Sequence, residues 1–270
     1  MRFTILLMAL ASVAHAQRFR FSQIPESVVM QREQQSPLTP QDRETRIKLL
    51  FLQAGCAAAE LNEQPLDKLP GANVICRLPG KSKETIIVGA TYSSQMPPDN
   101  WSGASLLASL FQTLASRRRH HTFVFVAFAD GGDDLAGSHF FVDHMSRVDV
   151  DQTEAMVNLE ALGFSPTKIS SRESDKQLVH DFMTVTYALR QMASQVDVSK
   201  GVHVDSEPFA FMHIPQITIH SLTQDAVADL PIQDKDRDKF RPHFYYNSYT
   251  LVSGYLAYLD EVLKPRHHGK

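Results

Sequence analysis

The residues able to do chemistry gather between Thr85 and Ser138. The phrase Val88-Gly89-Ala90-Thr91-Tyr92-Ser93 leads to Pro98-Asp99-Asn100-Trp101-Ser102-Gly103, and Ala129-Asp130-Gly131-Gly132-Asp133-Asp134 follows. Each acidic phrase comes after an apolar run of strand length. In an open α/β sheet, sites form just beyond the carboxyl ends of the strands, so Asp99 and the loop 130–134 stand where a site belongs. Carboxylates there suit a hard cation, whereas zinc calls for imidazole or thiolate beside them. The histidines offer little of that kind. His139 and His144 are five residues apart on one helix and point away from each other, unlike an i, i+4 metal pair. His220 closes a strand and reads as a hydrogen-bonding residue beside the cleft. His267 and His268 lie in a polar tail.

The elements that must position these groups alternate β with α. Thr39-Pro40 supplies an N-cap followed by proline at the first helical position, and Ile47, Leu50, Phe51 and Ala54 give that helix an apolar stripe ending at Gly55. Asn73 to Leu78 and Thr85 to Ala90 read as strands joined by the turn Pro79-Gly80-Lys81-Ser82, an antiparallel hairpin at the sheet edge. Trp101 to Ser116 is helical. Thr122 to Phe128 is apolar throughout, as a strand covered on both faces should be. Helices over Leu135–Met145, Asp175–Met192 and Tyr245–Leu263 alternate with strands over Ala155–Leu159 and Ile214–His220. The pattern predicts one three-layer α/β/α sandwich over residues 39–264, with a mostly parallel central sheet.

Composition narrows the setting. A chain of 270 residues, 43% of them hydrophobic, buries a full core as one domain, and a net charge of −3 gives no reason to invoke nucleic acid. The basic run Arg117-Arg118-Arg119-His120-His121 reads as the solvated end of a helix, where cations are favoured. Residues 1–16 have the form of a cleaved export signal: Arg2, an apolar run too short for a membrane anchor, and Ala14-His15-Ala16 as the cleavage site. Residues 17–38 are rich in Gln, Ser, Arg and Pro and read as an extended arm, and 265–270 as a polar tail. No later segment is long and apolar enough to span a membrane. Export makes Cys56 and Cys76 most simply one disulfide; the other reading is two buried free thiols.

The order of several phrases resembles the M28 zinc metallopeptidases, whose relatives include the glutaminyl cyclases. They are Asn73-Val74-Ile75-Cys76-Arg77-Leu78-Pro79-Gly80, Ile87-Val88-Gly89-Ala90, Asp99-Asn100-Trp101-Ser102-Gly103, Phe125-Val126-Ala127-Phe128, Leu135-Ala136-Gly137-Ser138 and Val157-Asn158-Leu159-Glu160. The resemblance implies a zinc-exopeptidase-like fold with two zinc ions held by two His and three carboxylates, and a neighbouring Glu as general base for a metal-bound water. Residue by residue, the first His position is Thr91, and the Asp that orients it is Ser93. The bridging Asp is kept as Asp99. The general base and its neighbouring ligand Glu fall on Gly131 and Gly132. The next ligand is matched by Glu160, and the last His position falls on Asp234, with Asp238 as its fixed partner.

A glycine neither ligates nor accepts a proton, and a threonine hydroxyl is a poor zinc ligand beside imidazole. The expectation is therefore a secreted or periplasmic M28-like protein without peptidase activity and with no resident cofactor. Asp99 and Glu160 are vestigial ligands in this reading, and the cleft is left to bind a peptide or a protein. The Asp205-Ser206-Glu207-Pro208-Phe209 phrase matches a segment near the substrate pocket of relatives, and reads equally as a cap starting a short helix. The alternative is an active metal-dependent exopeptidase of aminopeptidase type with zinc in a rebuilt site. It would use Asp99, Glu160, Asp234 and, as substitutes for the lost Glu pair, Asp133 or Asp134.

Overall fold

The computed structural model describes residues 21–67, 69–92, 100–129, 135–196, 203–222 and 239–264. They form an eight-stranded sheet with helices on both faces, as expected. The strands are β1 (Leu61–Pro65), β2 (Ala72–Leu78), β3 (Thr85–Thr91), β4 (Thr122–Phe128), β5 (Thr153–Glu160), β6 (Lys168–Ser170), β7 (Ser194–Gln195) and β8 (Gln216–His220). Their order is β1-β2-β4-β3-β5-β8-β6-β7. The four central strands β4, β3, β5 and β8 run parallel to one another, and antiparallel pairs flank them.

The expected β2–β3 hairpin does not form. β2 pairs instead with β1 and β4, so β4 lies between the two strands that the short turn joins. The turn is spent on reaching around β4. Gly80 N–H donates to Thr122 Oγ1 (3.1 Å), Lys81 N–H to Arg119 O (3.2 Å) and Ser82 N–H to His120 O (2.8 Å). A run of residues apolar on both faces wins the central place, because burial on two sides removes more apolar surface than an edge position does. The edge hairpin is β1–β2, its outer strand too polar (Asn62, Glu63, Gln64) to show in the hydropathy pattern.

The larger core packs α1 (Glu26–Gln34), α2 (Pro40–Gln53), α3 (Asn100–Ala115), α6 (Lys176–Ala188) and α8 (Pro242–Val262) on one face. A smaller core under α4 (Ala136–Asp143), α5 (Arg147–Gln152) and α7 (Glu207–Phe211) covers the other. Thr39 caps α2 as expected, its side chain accepting from Asp42 N–H. The arm expected to be extended over 17–38 is helical at α1, and residues 17–20 lie outside the described residues. No apolar stripe announces α1, because polar tertiary contacts hold it. Arg32 is 7% exposed and donates to Ser109 Oγ (3.0 Å) and Gln112 Oε1 (2.6 Å), and Trp101 Nε1 donates to Glu33 O (2.8 Å).

Cys56 and Cys76 are disulfide-bonded and close a 20-residue separation around the β1–β2 hairpin. At the other end of the sheet the basic run is not simply solvated. Arg119 Nη1 donates to the α3 terminal carbonyls of Leu114 and Ala115 (2.8 and 3.4 Å), while His121 is fully buried against α8. There the Asp260 carboxylate accepts from the backbone N–H groups of His120 (2.9 Å) and His121 (2.8 Å), with Arg117 alongside. Burial pushes the Asp260 carboxyl up, but the bonds from His121 and His120 and the Arg117 charge outweigh it and hold the group below the usual carboxylate range.

Two predictions follow from these ties. Reducing the disulfide, or replacing both cysteines with serine, lowers unfolding stability by about 3 kcal/mol in the loop-entropy account, read from urea melts. A carboxyl depressed on folding contributes stability that is present above its unfolded value, about 3.9, and lost as pH falls through the folded value. Asp260→Asn is therefore destabilising by about 1–2 kcal/mol at neutral pH. Melts of wild type and variant at pH 7 and pH 3 should converge at the acidic end.

Candidate active-site cleft at the carboxyl edge of the sheet

Thr91, Ala129, Glu160 and His220 stand at or just beyond the carboxyl ends of β3, β4, β5 and β8, the edge where the sequence places a site. Alternation along each strand fixes which face they use. Ala155, Val157, Leu159, Ile217 and Ile219 join the larger core, so Glu160 and His220 face the α4–α7 side. The start of α3 is drawn hard against this edge. Ser102 Oγ accepts from Leu162 N–H (2.8 Å), and a Cβ added at Gly103 would stand 2.6 Å from Leu159 O, so only glycine lets helix and strand approach this closely.

The loop expected to carry the general base is held at both flanks by one buried side chain. Asn73 accepts from Ala129 N–H (3.0 Å) and donates to Gly137 O (2.9 Å) and Gln64 Oε1 (2.9 Å). Gly137 is required there: a Cβ would lie 2.0 Å from Ala129 O. Asn73 is a site-positioning residue that the sequence pattern does not reveal, since a polar residue inside a strand carries no sign of its tertiary partners.

Thr91 lies at the end of β3, its Oγ1 donating to Phe128 O (3.2 Å). Glu160 Oε1 accepts from Asn158 Nδ2 (3.0 Å). His220, fully buried, accepts Leu222 N–H at Nδ1 (3.2 Å) and so carries its proton on Nε2, which donates to Val196 O (2.9 Å). It is the hydrogen-bonding residue the sequence suggested. His139 and His144 are both exposed, and His144 Nδ1 bonds back to Phe140 O (2.8 Å). Ser206 heads α7 without capping it; its hydroxyl bonds Thr218 Oγ1 (2.8 Å) instead. Ser93, Asp99, Gly131, Gly132, Asp133, Asp134, Asp234 and Asp238 lie outside the described residues.

One further residue belongs to this edge. Lys168 on β6 is in register with His220, and His220 with Glu160, so the three make one row across adjacent strands. The Lys168 ammonium contacts Ser165 Oγ and Pro166 O (3.3 Å), and burial pushes its pKa down. Among the described residues it has no carboxylate in ion-pair range. The sequence offers no sign of it, because the register that brings β6 beside β8 joins residues about fifty positions apart.

Among the described residues no group of three or more His, Cys, Asp and Glu is arranged to hold a metal. The donors they do offer, one carboxylate, a hydroxyl and an imidazole with both nitrogens engaged, do not fit zinc, which takes imidazole nitrogen, thiolate or several carboxylates.

The strand order and its two helical layers define an aminopeptidase-like α/β/α fold. Solved structures agree: a zinc aminopeptidase of Bacillus subtilis (20% identity, TM-score 0.61, covering 74% of this chain and 52% of that one), LapB of Legionella pneumophila (15%, 0.76, 88% and 73%) and a glutaminyl cyclase of an Acidobacteriales bacterium (17%, 0.72, 87% and 93%). The chain thus spans about half the length of the Bacillus enzyme. None of the curated proteins matches it by sequence. The sequence profile of peptidase family M28 matches residues 73–248, well over half of the chain, and the protein belongs to that family.

The Asn73 clamp is directly testable. Asn73→Ala leaves Ala129 N–H and Gly137 C=O without their partner in a buried place, which should cost at least about 1–3 kcal/mol. It should also speed amide exchange at Ala129 relative to mid-strand β4 positions. Unchanged melts and exchange would mean that the clamp does not hold the loop.

Proposed function

We propose that this chain is an exported M28-fold protein that does not hydrolyse peptides and whose carboxyl-edge cleft binds a peptide or protein segment. The observation that carries the reading is Thr91. It occupies the strand end where the family pattern calls for imidazole, and it spends its hydroxyl proton on Phe128 O. Beside it the pattern puts Gly131 at the general base and Gly132 at a ligand Glu, and neither can take a proton or a metal. Asp99 and Glu160 remain as vestigial carboxylates, with Asp234 at the last ligand position. Export is supported by the signal-like residues 1–16 and by the Cys56–Cys76 disulfide, which persists in oxidising compartments. Among the described residues no helix is long and apolar enough to cross a membrane.

Lys168 adds an electrostatic reason. A two-zinc site needs surplus negative charge, whereas an ammonium on the second strand from Glu160 opposes a dication and favours the carboxylate of a bound peptide. The experiment is metal analysis of the purified protein together with a panel of aminoacyl and peptide substrates. The expected result is less than stoichiometric zinc and no chelator-sensitive turnover. Stoichiometric zinc with turnover that Asp99→Ala abolishes would overturn the proposal in favour of an exopeptidase with a rebuilt site at Asp99, Glu160, Asp133 or Asp134, and Asp234.

A further inference from the structure

At the amino-terminal ends of β3 and β4, opposite the site described above, two basic segments lie side by side. The turn at residues 79–84 carries Lys81 and Lys83, and the run ahead of β4 carries Arg117, Arg118, Arg119 and His120. Lys81 N–H donates to Arg119 O and Ser82 N–H to His120 O, which holds the two segments together. Their only acid is Glu84, and yet the whole chain has a net charge of −3. Positive charge is therefore gathered at this corner against the balance of the rest.

The fold itself uses part of this charge. Arg119 is spent on carbonyls: Nη1 donates to Leu114 O, Ala115 O and Arg117 O, and Nη2 to Pro79 O (3.1 Å). Arg117 pairs with Glu261 (3.0 Å) beside Asp260. These two arginines serve the end of α3 and the corner it shares with α8, where cations are favoured. Lys81, Lys83, Arg118 and His120 remain. All four are exposed, and among the described residues none of them is in an ion pair. Like charges gathered in this way repel one another, and a partner of opposite charge relieves the repulsion.

We infer that these four cations form a docking surface for an acidic polysaccharide, a chain of sugars bearing repeated sulfate or carboxylate groups. Clustered basic side chains on a surface suit a sulfated glycan of the heparin type by charge alone. A membrane surface fits less well, because interfacial binding couples cations to inserted apolar side chains. None of the large apolar side chains exposed among the described residues belongs to either segment. Single-stranded nucleic acid takes aromatic stacking platforms as well as charge, and the two segments carry no Phe, Tyr or Trp. Duplex DNA, with a charge about every 1.7 Å along its axis, extends past the corner and meets repulsion from the rest of a net acidic chain. The surface lies across the sheet from Thr91 and Glu160 and does not rest on the function proposed for them.

Fluorescence anisotropy of a labelled heparin-derived decasaccharide, titrated with the full-length protein, tests the assignment. Saturable binding at low salt is expected, weakening as sodium chloride is raised, since salt screens exposed charges. Lys81→Gln/Lys83→Gln and Arg118→Gln/His120→Gln should each weaken it about tenfold, equivalent to about 1.4 kcal/mol. The four side chains are exposed, so these changes leave folding intact. Arg147→Gln/Lys176→Gln, which removes two exposed cations from the starts of α5 and α6, should leave binding unchanged. Absence of saturable binding, binding that survives both corner variants, or an equal loss in the Arg147/Lys176 control would each overturn the assignment. Tighter binding to phosphatidylglycerol vesicles or to a short DNA duplex would overturn it in favour of that partner.

Discussion

The structure depends on the insertion of β4 between β2 and β3. One apolar strand is antiparallel to β2 and parallel to β3, and so it joins an edge hairpin to the parallel sheet. The crossover loop at residues 79–84 must reach around it, which is why its amides bond to the start of β4 rather than to one another. Asp260 secures the same corner from α8, taking the His120 and His121 amides that precede β4. With β4 in place, the carboxyl ends of β3, β4, β5 and β8 line up on one edge, and the cleft follows from that alignment.

The carboxyl edge is held by a set of positioning contacts. Asn73 pins both flanks of the loop after β4, Gly103 brings α3 into contact with β5, and Ser102 ties the chain after Glu160 to that helix. These are interactions of positioning, and they hold the backbone in the geometry shared by aminopeptidases and glutaminyl cyclases. Thr91 and His220, by contrast, turn their polar atoms inward to Phe128 O and to Val196 and Leu222. The scaffold contacts run from side chains to backbone and from backbone to backbone, and Thr91 and His220 take no part in them.

Much of this was legible in the sequence because it rests on periodicity. The residues over Thr122–Phe128 are a strand to the residue, α3 and α8 fall within a few positions of their apolar stripes, and the disulfide joins the two cysteines that the sequence reading paired. What failed depends on long-range partners. The β2–β3 turn looks like a hairpin until β4, forty residues on, claims the space between. Helix α1 has no apolar stripe because buried Arg32 and the carbonyl of Glu33 hold it. The Asp205–Phe209 phrase indicates a helix start, but not that Ser206 bonds across to Thr218 instead of capping it. Of the candidate site, Thr91 and Glu160 stand where the strands predict; Lys168 enters through strand register, which a local pattern does not encode.

The row Glu160, His220, Lys168 shows how the same edge can serve opposite chemistry. Neighbouring strands are about 4.8 Å apart, so the Lys168 and Glu160 backbones are separated by roughly 10 Å. A charged Lys168 on the same row would repel a dication placed near Glu160. Burial already pushes the Lys168 pKa down, and a second cation nearby would push it further. A carboxylate ligand reverses the sign: it relieves the desolvated ammonium and leaves the imidazole between them free to keep its bonds to Val196 and Leu222. The Lys168 charge is thus one electrostatic term at this edge that disfavours a nearby cation and favours an anion.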